Sequence, residues 1–271
     1  MPDETNGTRA QIEQLISEGK FDEALSAVES CIQQSTLTPT ERISYTLLKS
    51  NILRRQGNFD ESLSLAEEVF CECQEQDRPL LAVDALIAKT DVLVRLGRYD
   101  EIADSITQGE QMLHTLISAP EPTPKARSGL RARLRRILSR SKRSQPESPP
   151  PTTSQVIPST KSDQQEAIAR RTVKFLHFKG AIATQKGDFD QAGHYFQQYL
   201  EIFEDLGDTQ RIASALNNLG VVYSLKGEWD QALDYYQRCL AIREGGDKQQ
   251  YAVTLSNICE IHRRKGDLNQ S

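Results

Sequence analysis

The sequence predicts an all-α fold, a solenoid of antiparallel helix pairs, on three observations. A hexapeptide of Gly, a polar residue, an aromatic, Asp, Glu or Gln, and a small or aliphatic residue recurs at intervals near 40 residues. Apolar residues on both sides of it follow helical spacing. The hydrophobic fraction, 37%, is low for one compact core but suits stacked helices that each keep a face in water.

The five full copies begin at Gly19, Gly57, Gly97, Gly187 and Gly227, and a degraded sixth, Gly266-Asp267-Leu268-Asn269-Gln270-Ser271, ends the sequence. The intervals are 38, 40, 90, 40 and 39 residues, the long one being a repeat plus a 50-residue insertion. Gly closes a first helix, because it alone takes the left-handed cap conformation without steric cost. Cations stand before it (Arg54 and Arg55, Arg95, Lys186, Lys226, Arg264 and Lys265), matching the negative end of a helix dipole. The aromatic residue is expected to fill the corner, and Asp followed by Glu or Gln to open the second helix. Helix pairs are therefore expected over 8–34, 38–76, 80–118, 167–206 and 208–246, with a lone first helix over 248–265. This gives an N-terminal block of about three repeats, 1–118, an insertion, 119–166, and a C-terminal block, 167–271. The sequence stops where the last helix's mate should begin, which reads as a truncated protein or a gene fragment.

The stretch Leu216-Asn217-Asn218-Leu219-Gly220-Val221-Val222-Tyr223, with Gly227, Trp229, Ala232 and Tyr236, resembles the tetratricopeptide-repeat consensus. The 40-residue period resembles the long-helix class of kinesin light chains and bacterial peptide sensors. The resemblance covers 9–118 and 167–271 and implies a right-handed solenoid whose stacked first helices line a concave binding face. Lys49, Lys89 and Lys179 depart from it, replacing the usual apolar residue before the small one. Two readings stay open for them: snorkelling stems over a packed surface, or a cationic stripe for an acidic ligand.

Residues 119–166 carry ten Lys and Arg against four Asp and Glu, a net of +6, so the remainder carries −11 within a total of −5. Eight of the eleven prolines lie between Pro120 and Pro158, and residues 145–154 are expected to be disordered. Upstream, Leu130, Leu134, Ile137 and Leu138 follow helical spacing, so a short basic amphipathic helix is expected over 128–142. Its Arg131, Arg133, Arg135, Arg136 and Arg140 are the candidate contacts. Three readings compete: a solvated charged loop, contact with an acidic surface such as an anionic membrane or nucleic acid, or docking onto the chain's own acidic body. Pro146–Pro151 is a weak signal for a proline-recognising domain. Phosphorylation of Ser139 would weaken any of these contacts.

No catalytic constellation stands out. Cys31, Cys71, Cys73, Cys239 and Cys259 are an odd, scattered set without a metal-ligand pattern, which suits a reduced, cytoplasmic chain. Cys31, Cys239 and Cys259 sit at positions that ask for small packing residues. His114, His177, His194 and His262 lack a recognisable partner for nucleophilic catalysis, and His262 is expected to pack where Tyr223 stands one repeat earlier. No Gly-rich phosphate loop, metal site or cofactor site is expected. The start of the chain is not a secretory signal, and no apolar run approaches membrane length.

What remains is a binding groove. In the family the resemblance suggests, an Asn just before the Leu-Gly pair clamps a bound peptide's backbone; Asn218 stands there and Asn257 matches it in the next repeat. With Asn217, Arg263 and Arg264 at the groove edge, these are the candidate partner-binding residues. The competing reading leaves the amides and guanidinium groups facing solvent or bonding between helices. The heat-shock-chaperone carboxylate clamp is not expected, since His177 with Ala181 and Ser256 with Glu260 occupy its positions. The expected function is a non-catalytic scaffold or adaptor binding a protein or peptide. The alternatives are a regulator whose basic insertion meets nucleic acid or an anionic membrane, and the non-catalytic array of a longer enzyme or signalling protein.

Overall fold

A computed structural model describes residues 3–118, 133, 134, 136, 137, 161–246 and 248–268, with no strand among them. The described chain falls into two compact units, Met1–Ala119 and Pro120–Ser271. The first holds α1 (Asp3–Ser17), α2 (Phe21–Ile32), α3 (Pro39–Gln56), α4 (Phe59–Glu75), α5 (Pro79–Leu96) and α6 (Tyr99–Ser118). The second holds α7 (Lys161–Lys186), α8 (Phe189–Leu206), α9 (Thr209–Lys226), α10 (Trp229–Arg243) and α11 (Lys248–Leu268). Each helix packs on the next within its unit, and first helices also touch: α3 meets α5, and α9 meets α11. α7 begins at Lys161, inside the stretch read from sequence as insertion. The proline-rich residues 145–154 lie outside the described residues.

Local chemistry sets the helix ends. Gly19, Gly57, Gly97, Gly187 and Gly227 all have φ between 70° and 88°. At each, two backbone N–H groups turn back on the preceding helix, as when Gly57 N donates to Arg54 O and Asn58 N to Leu53 O. These bonds satisfy carbonyls that the helix end would otherwise orphan. The start of α3 is fixed by a reciprocal box: Thr38 accepts from Glu41 N at 3.2 Å while Thr38 N donates to the Glu41 carboxylate at 2.9 Å. Pro39 and Pro79 occupy opening positions where no N–H is needed.

The recurrent Asp is not a cap. Each second helix starts at the aromatic residue, which puts Asp22, Asp60, Asp100, Asp190 and Asp230 inside the first turn. There they face the positive end of the helix, and three take a further partner from the residue just before the glycine of the next hexapeptide. Gln56 Nε2 donates to Asp22 at 2.7 Å, Lys226 pairs with Asp190 at 2.8 Å, and Lys265 with Asp230 at 2.5 Å.

The sixth hexapeptide makes no corner. α11 runs through Gly266 to Leu268, past the expected end at 265. Among the described residues no second helix covers it, so Cys259, Val253 and Leu255 are exposed, and so is His262, which was expected to pack. Thr254 and Ile261 are sealed, Ile261 against Ala232 and Tyr236.

The lysine ladder settles into specific contacts. Lys49 reaches Glu29 at 2.8 Å and Lys89 reaches Glu67 at 2.7 Å, each carboxylate on a second helix. The Lys179 ammonium lies 5.0 Å from the centroid of the Tyr195 ring. These half-buried cations bridge helices rather than line an open stripe.

Candidate functional site

In the second unit the first helices present one face to a groove of about 390 Å³. Positions three and four apart share a helix face. Thus Val173, Lys174, His177 and Phe178 enter from α7, and Arg211, Ser214, Asn217 and Asn218 from α9. α11 adds Gln250, and Tyr199 and Arg243 come from the second helices α8 and α10. The His177 ring lies 6.0 Å from Phe196 and 6.1 Å from Tyr199, giving the α7 side an aromatic wall. Burial pushes the Tyr199 phenol above its ordinary pKa, and a hydrogen bond from Arg211 opposes this.

Arg243 is the feature that sequence reading missed. Sixteen residues after their corner glycines, the other long second helices carry Cys73, Leu113 and Phe203, all buried core residues. Arg243 fills that same register and is 5% exposed. Its Nη1 donates to Thr254 Oγ1 at 2.7 Å and to Gln250 O at 3.1 Å, and Nη2 donates to Gln250 Oε1 at 2.7 Å. All three acceptors are neutral, and Nε has no hydrogen-bond partner among the described residues. The lining carries three cations, Lys174, Arg211 and Arg243, and no Asp or Glu.

The structure brings two of the sequence candidates into this groove, Asn217 and Asn218. Asn217 Oδ1 lies 3.4 Å from Thr254 Oγ1, joining the edge of the Arg243 network. The Asn218 amide has no hydrogen-bond partner among the described residues. Asn257 is half-buried on α11 and does not line the groove. Arg263 and Arg264 are exposed and both bond Glu260 on their own helix, at 2.8 and 2.7 Å, holding that carboxyl down at about 2.

Of the insertion's candidates, Arg131, Arg135 and Arg140 lie outside the described residues. Arg136 is exposed. Arg133 meets an acidic edge of α8, with Nη1 2.8 Å from Asp205 and 3.0 Å from Glu201 O, while Leu134 and Ile137 are buried. Burial raises the Asp205 carboxyl, and the Arg133 charge opposes that rise. Among the described residues no cluster of His, Cys, Asp and Glu could hold a metal ion, and no helix is long and apolar enough to cross a membrane. All five cysteines are free; Cys31, Cys73 and Cys239 are buried, Cys71 and Cys259 exposed.

Residues 172–245, which span the groove's α7 to α10 walls, match the family model of the tetratricopeptide repeat. Those residues carry tetratricopeptide repeats. The chain's fold is similar to that of BtubC (BKLC) from P. vanneervenii, at 18% identity and a TM-score of 0.59, covering 95% of this chain and 85% of that one. It is also similar to the apo form of RapI, at 12% identity and a TM-score of 0.58, covering 92% of this chain and 55% of RapI. A putative kinesin light chain from Podosopora anserina, with nearly identical TPR-like repeats, aligns at 12% identity and a TM-score of 0.49, covering 92% of this chain and 99% of that one. No curated protein sequence matches the chain.

Proposed function

We propose that this tetratricopeptide-repeat protein is a non-catalytic scaffold that binds an extended protein or peptide segment across the groove of its second unit. The observation that carries the reading is the Asn218 amide, which stands in the groove beside Asn217 without a hydrogen-bond partner among the described residues. A side-chain amide donates and accepts at once, so it suits both polar groups of an extended backbone. The aromatic wall of His177, Phe178 and Tyr199 offers apolar area alongside. Five free cysteines support work in a reducing compartment such as the cytoplasm.

A photo-crosslinking residue in place of Ser214 tests the groove in the intact chain. It is expected to capture a partner, and the double variant N217A/N218A to weaken that partner's affinity about tenfold, the order of one or two lost buried hydrogen bonds. Affinity unchanged in the double variant removes the groove assignment.

The basic insertion has a second reading, contact with an anionic membrane or nucleic acid. Arg133 speaks against an open basic face at its own position, since its charge is taken up by Asp205. Liposome sedimentation and gel shift of the intact chain against R131E/R135E/R140E test the remaining cations; no loss in the triple variant ends that reading.

A further inference from the structure

We propose that a second face of α8, formed by Gln198, Glu201, Ile202 and Asp205, is a docking surface for a basic amphipathic helix, and that residues 133–137 of the insertion are its tethered occupant. This surface is separate from the groove, and the inference stands whatever the groove binds.

Burial is the first support. α8 turns Phe196, Tyr199 and Phe203 toward its first-helix neighbours: Phe196 fills the space beside Gly180, Tyr199 lies by His177 and Phe203 by Arg211. Gln198, Glu201, Ile202 and Asp205, spaced at i, i+3, i+4 and i+7, make another face of the same helix. Eleven residues after the corner glycine, the other second helices leave Ser30, Glu68, Gln108 and Arg238 exposed, yet Gln198 is 8% exposed. Fifteen residues after it, Glu72, Met112 and Ile242 are half-buried, yet Ile202 is 0% exposed. α8 is therefore covered where its counterparts are open.

The second support is what lies on that face. Arg133 Nη1 donates to Glu201 O at 3.0 Å and pairs with Asp205 at 2.8 Å, and its Nε stands 3.9 Å from the Glu201 carboxylate. Residues 133, 134, 136 and 137 are helical, with Leu134 and Ile137 buried and Arg136 exposed. So short a turn has no stability of its own in water, so its order comes from docking. Leu134 and Ile137, three residues apart, share a side of that turn and flank Arg133, which brings two aliphatic groups to the edge where Ile202 is sealed. Their burial supplies affinity, and the two carboxylates select the sign of the charge. Residues 125–143 hold nine Lys and Arg and no acid, the complement of Glu201 and Asp205. Being part of the same chain makes the docking intramolecular, so weak contacts suffice to keep the face filled. While the turn is seated, an outside helix of the same chemistry is shut out; once it is displaced, the face takes one.

The test titrates the intact chain into a fluorescein-labelled peptide of residues 128–142, read by anisotropy. L134D/I137D, in which the tethered turn cannot seat, is expected to bind the peptide at least about tenfold more tightly than the wild-type chain, whose face is occupied. Adding E201K/D205K to the opened chain is expected to abolish that binding. A peptide with Leu134 and Ile137 both changed to Ser keeps its charge and is expected to bind at least about tenfold more weakly, the loss of two buried aliphatic groups. Equal binding of the two peptides would mark plain attraction of a basic peptide to an acidic body and overturns the inference, as does equal binding by the wild-type and opened chains. Thiol labelling, followed by mass spectrometry at each cysteine, reads the cover without added peptide. The cysteine of Q198C should react slowly in the wild-type background and at least about tenfold faster with L134D/I137D, while that of R238C, in the same register of α10, reacts quickly in both. Unaltered labelling of Q198C in the opened chain overturns the inference, since another element would then cover α8. If L134D/I137D loses its helices by circular dichroism, R133E, a change at a half-buried side chain, supplies the same comparisons.

Discussion

The two units build the same helix crossing from opposite materials. In the second, the position seven residues before the corner glycine is Gly180 or Gly220, and an aromatic ring fills the space. A Cβ on Gly220 would lie 2.5 Å from Tyr236 Cε1, and one on Gly180 2.7 Å from Phe196 Cζ. In the first unit the same positions are Ser50 and Thr90, facing Ala66 and Ile106 in the register of the rings. Ser50 donates to Ser62 O at 2.9 Å and Ser62 to Ser50 O at 2.7 Å, so the close approach is made by buried hydroxyls. A larger residue on one helix is answered by a smaller one on the other. Geometry is thus kept where the consensus letters are lost, and the family match falls on 172–245, where the letters survive.

The contrast extends to the grooves. Asn217 and Asn218 correspond in register to Leu47 and Leu48 and to Ile87 and Ala88, so the first unit offers apolar side chains where the second offers amides. It also pairs its first-helix charges internally, Arg54 with Asp91 at 3.0 Å. Its acidic surface, Glu67, Glu68, Glu72 and Glu75, lies instead on α4, a second helix.

The sharpest way to break the comparison is a methyl group at the crossing. G220A should cost about 2–3 kcal/mol, because the ring it meets is 2% exposed and cannot turn aside. S50A in the first unit should cost only about 1 kcal/mol, the net worth of one hydrogen bond. Urea denaturation of the two variants checks both, and equal losses would dissolve the distinction. The connections differ too: Asp77 holds φ at 51° where the second unit uses Gly207 at 68°. D77G should therefore stabilise the first unit by about 0.5 kcal/mol, the relief of a left-handed residue less the entropy glycine adds to the unfolded chain.

Alkaline titration addresses one buried group in each unit. Burial pushes the Cys73 thiol up to about 11 and the Tyr236 phenol up to about 12, from 9.0 and 10.0. A raised folded pKa means stability that is complete below the unfolded value and lost as pH climbs through the folded one. The Cys73 contribution in the first unit should thus be lost between about 9 and 11, and the Tyr236 contribution in the second between about 10 and 12. C73A should reduce the loss in the lower window and Y236F that in the higher one, read as melting temperature against pH. The smallest effect is on reactivity alone: at pH 8 a thiol reagent should label exposed Cys71 and Cys259 quickly and the three buried cysteines only on unfolding.

The fold was readable because glycine corners and helical spacing are local. The five corners form at the residues that announce them. The role of the recurrent Asp was not local: its partner lies 34 to 36 residues on, and only the polar residue before the next corner hinted at it. Asn218 stands out through the resemblance to the repeat consensus, as the residue before the Leu219-Gly220 pair, and it lines the groove together with Asn217. Arg243 was missed because an arginine ending a helix looks like an ordinary partner of the dipole; aligning the repeats by register and asking which core position holds a charge would have exposed it. His262 reads as a packing residue by its match to Tyr223, but among the described residues no helix covers it and it is exposed.

The ties between consecutive hexapeptides differ in one respect that matters under changing conditions. The second unit's two, Lys226 to Asp190 and Lys265 to Asp230, join full charges on exposed carboxylates, whereas Gln56 to Asp22 joins an amide to a charge. Dissolved ions compete with the former far more than with the latter. Ionic strength therefore acts as a slack adjuster on these particular ties: raising it loosens the two lysine–aspartate pairs of the second unit and leaves the Gln56–Asp22 contact nearly untouched.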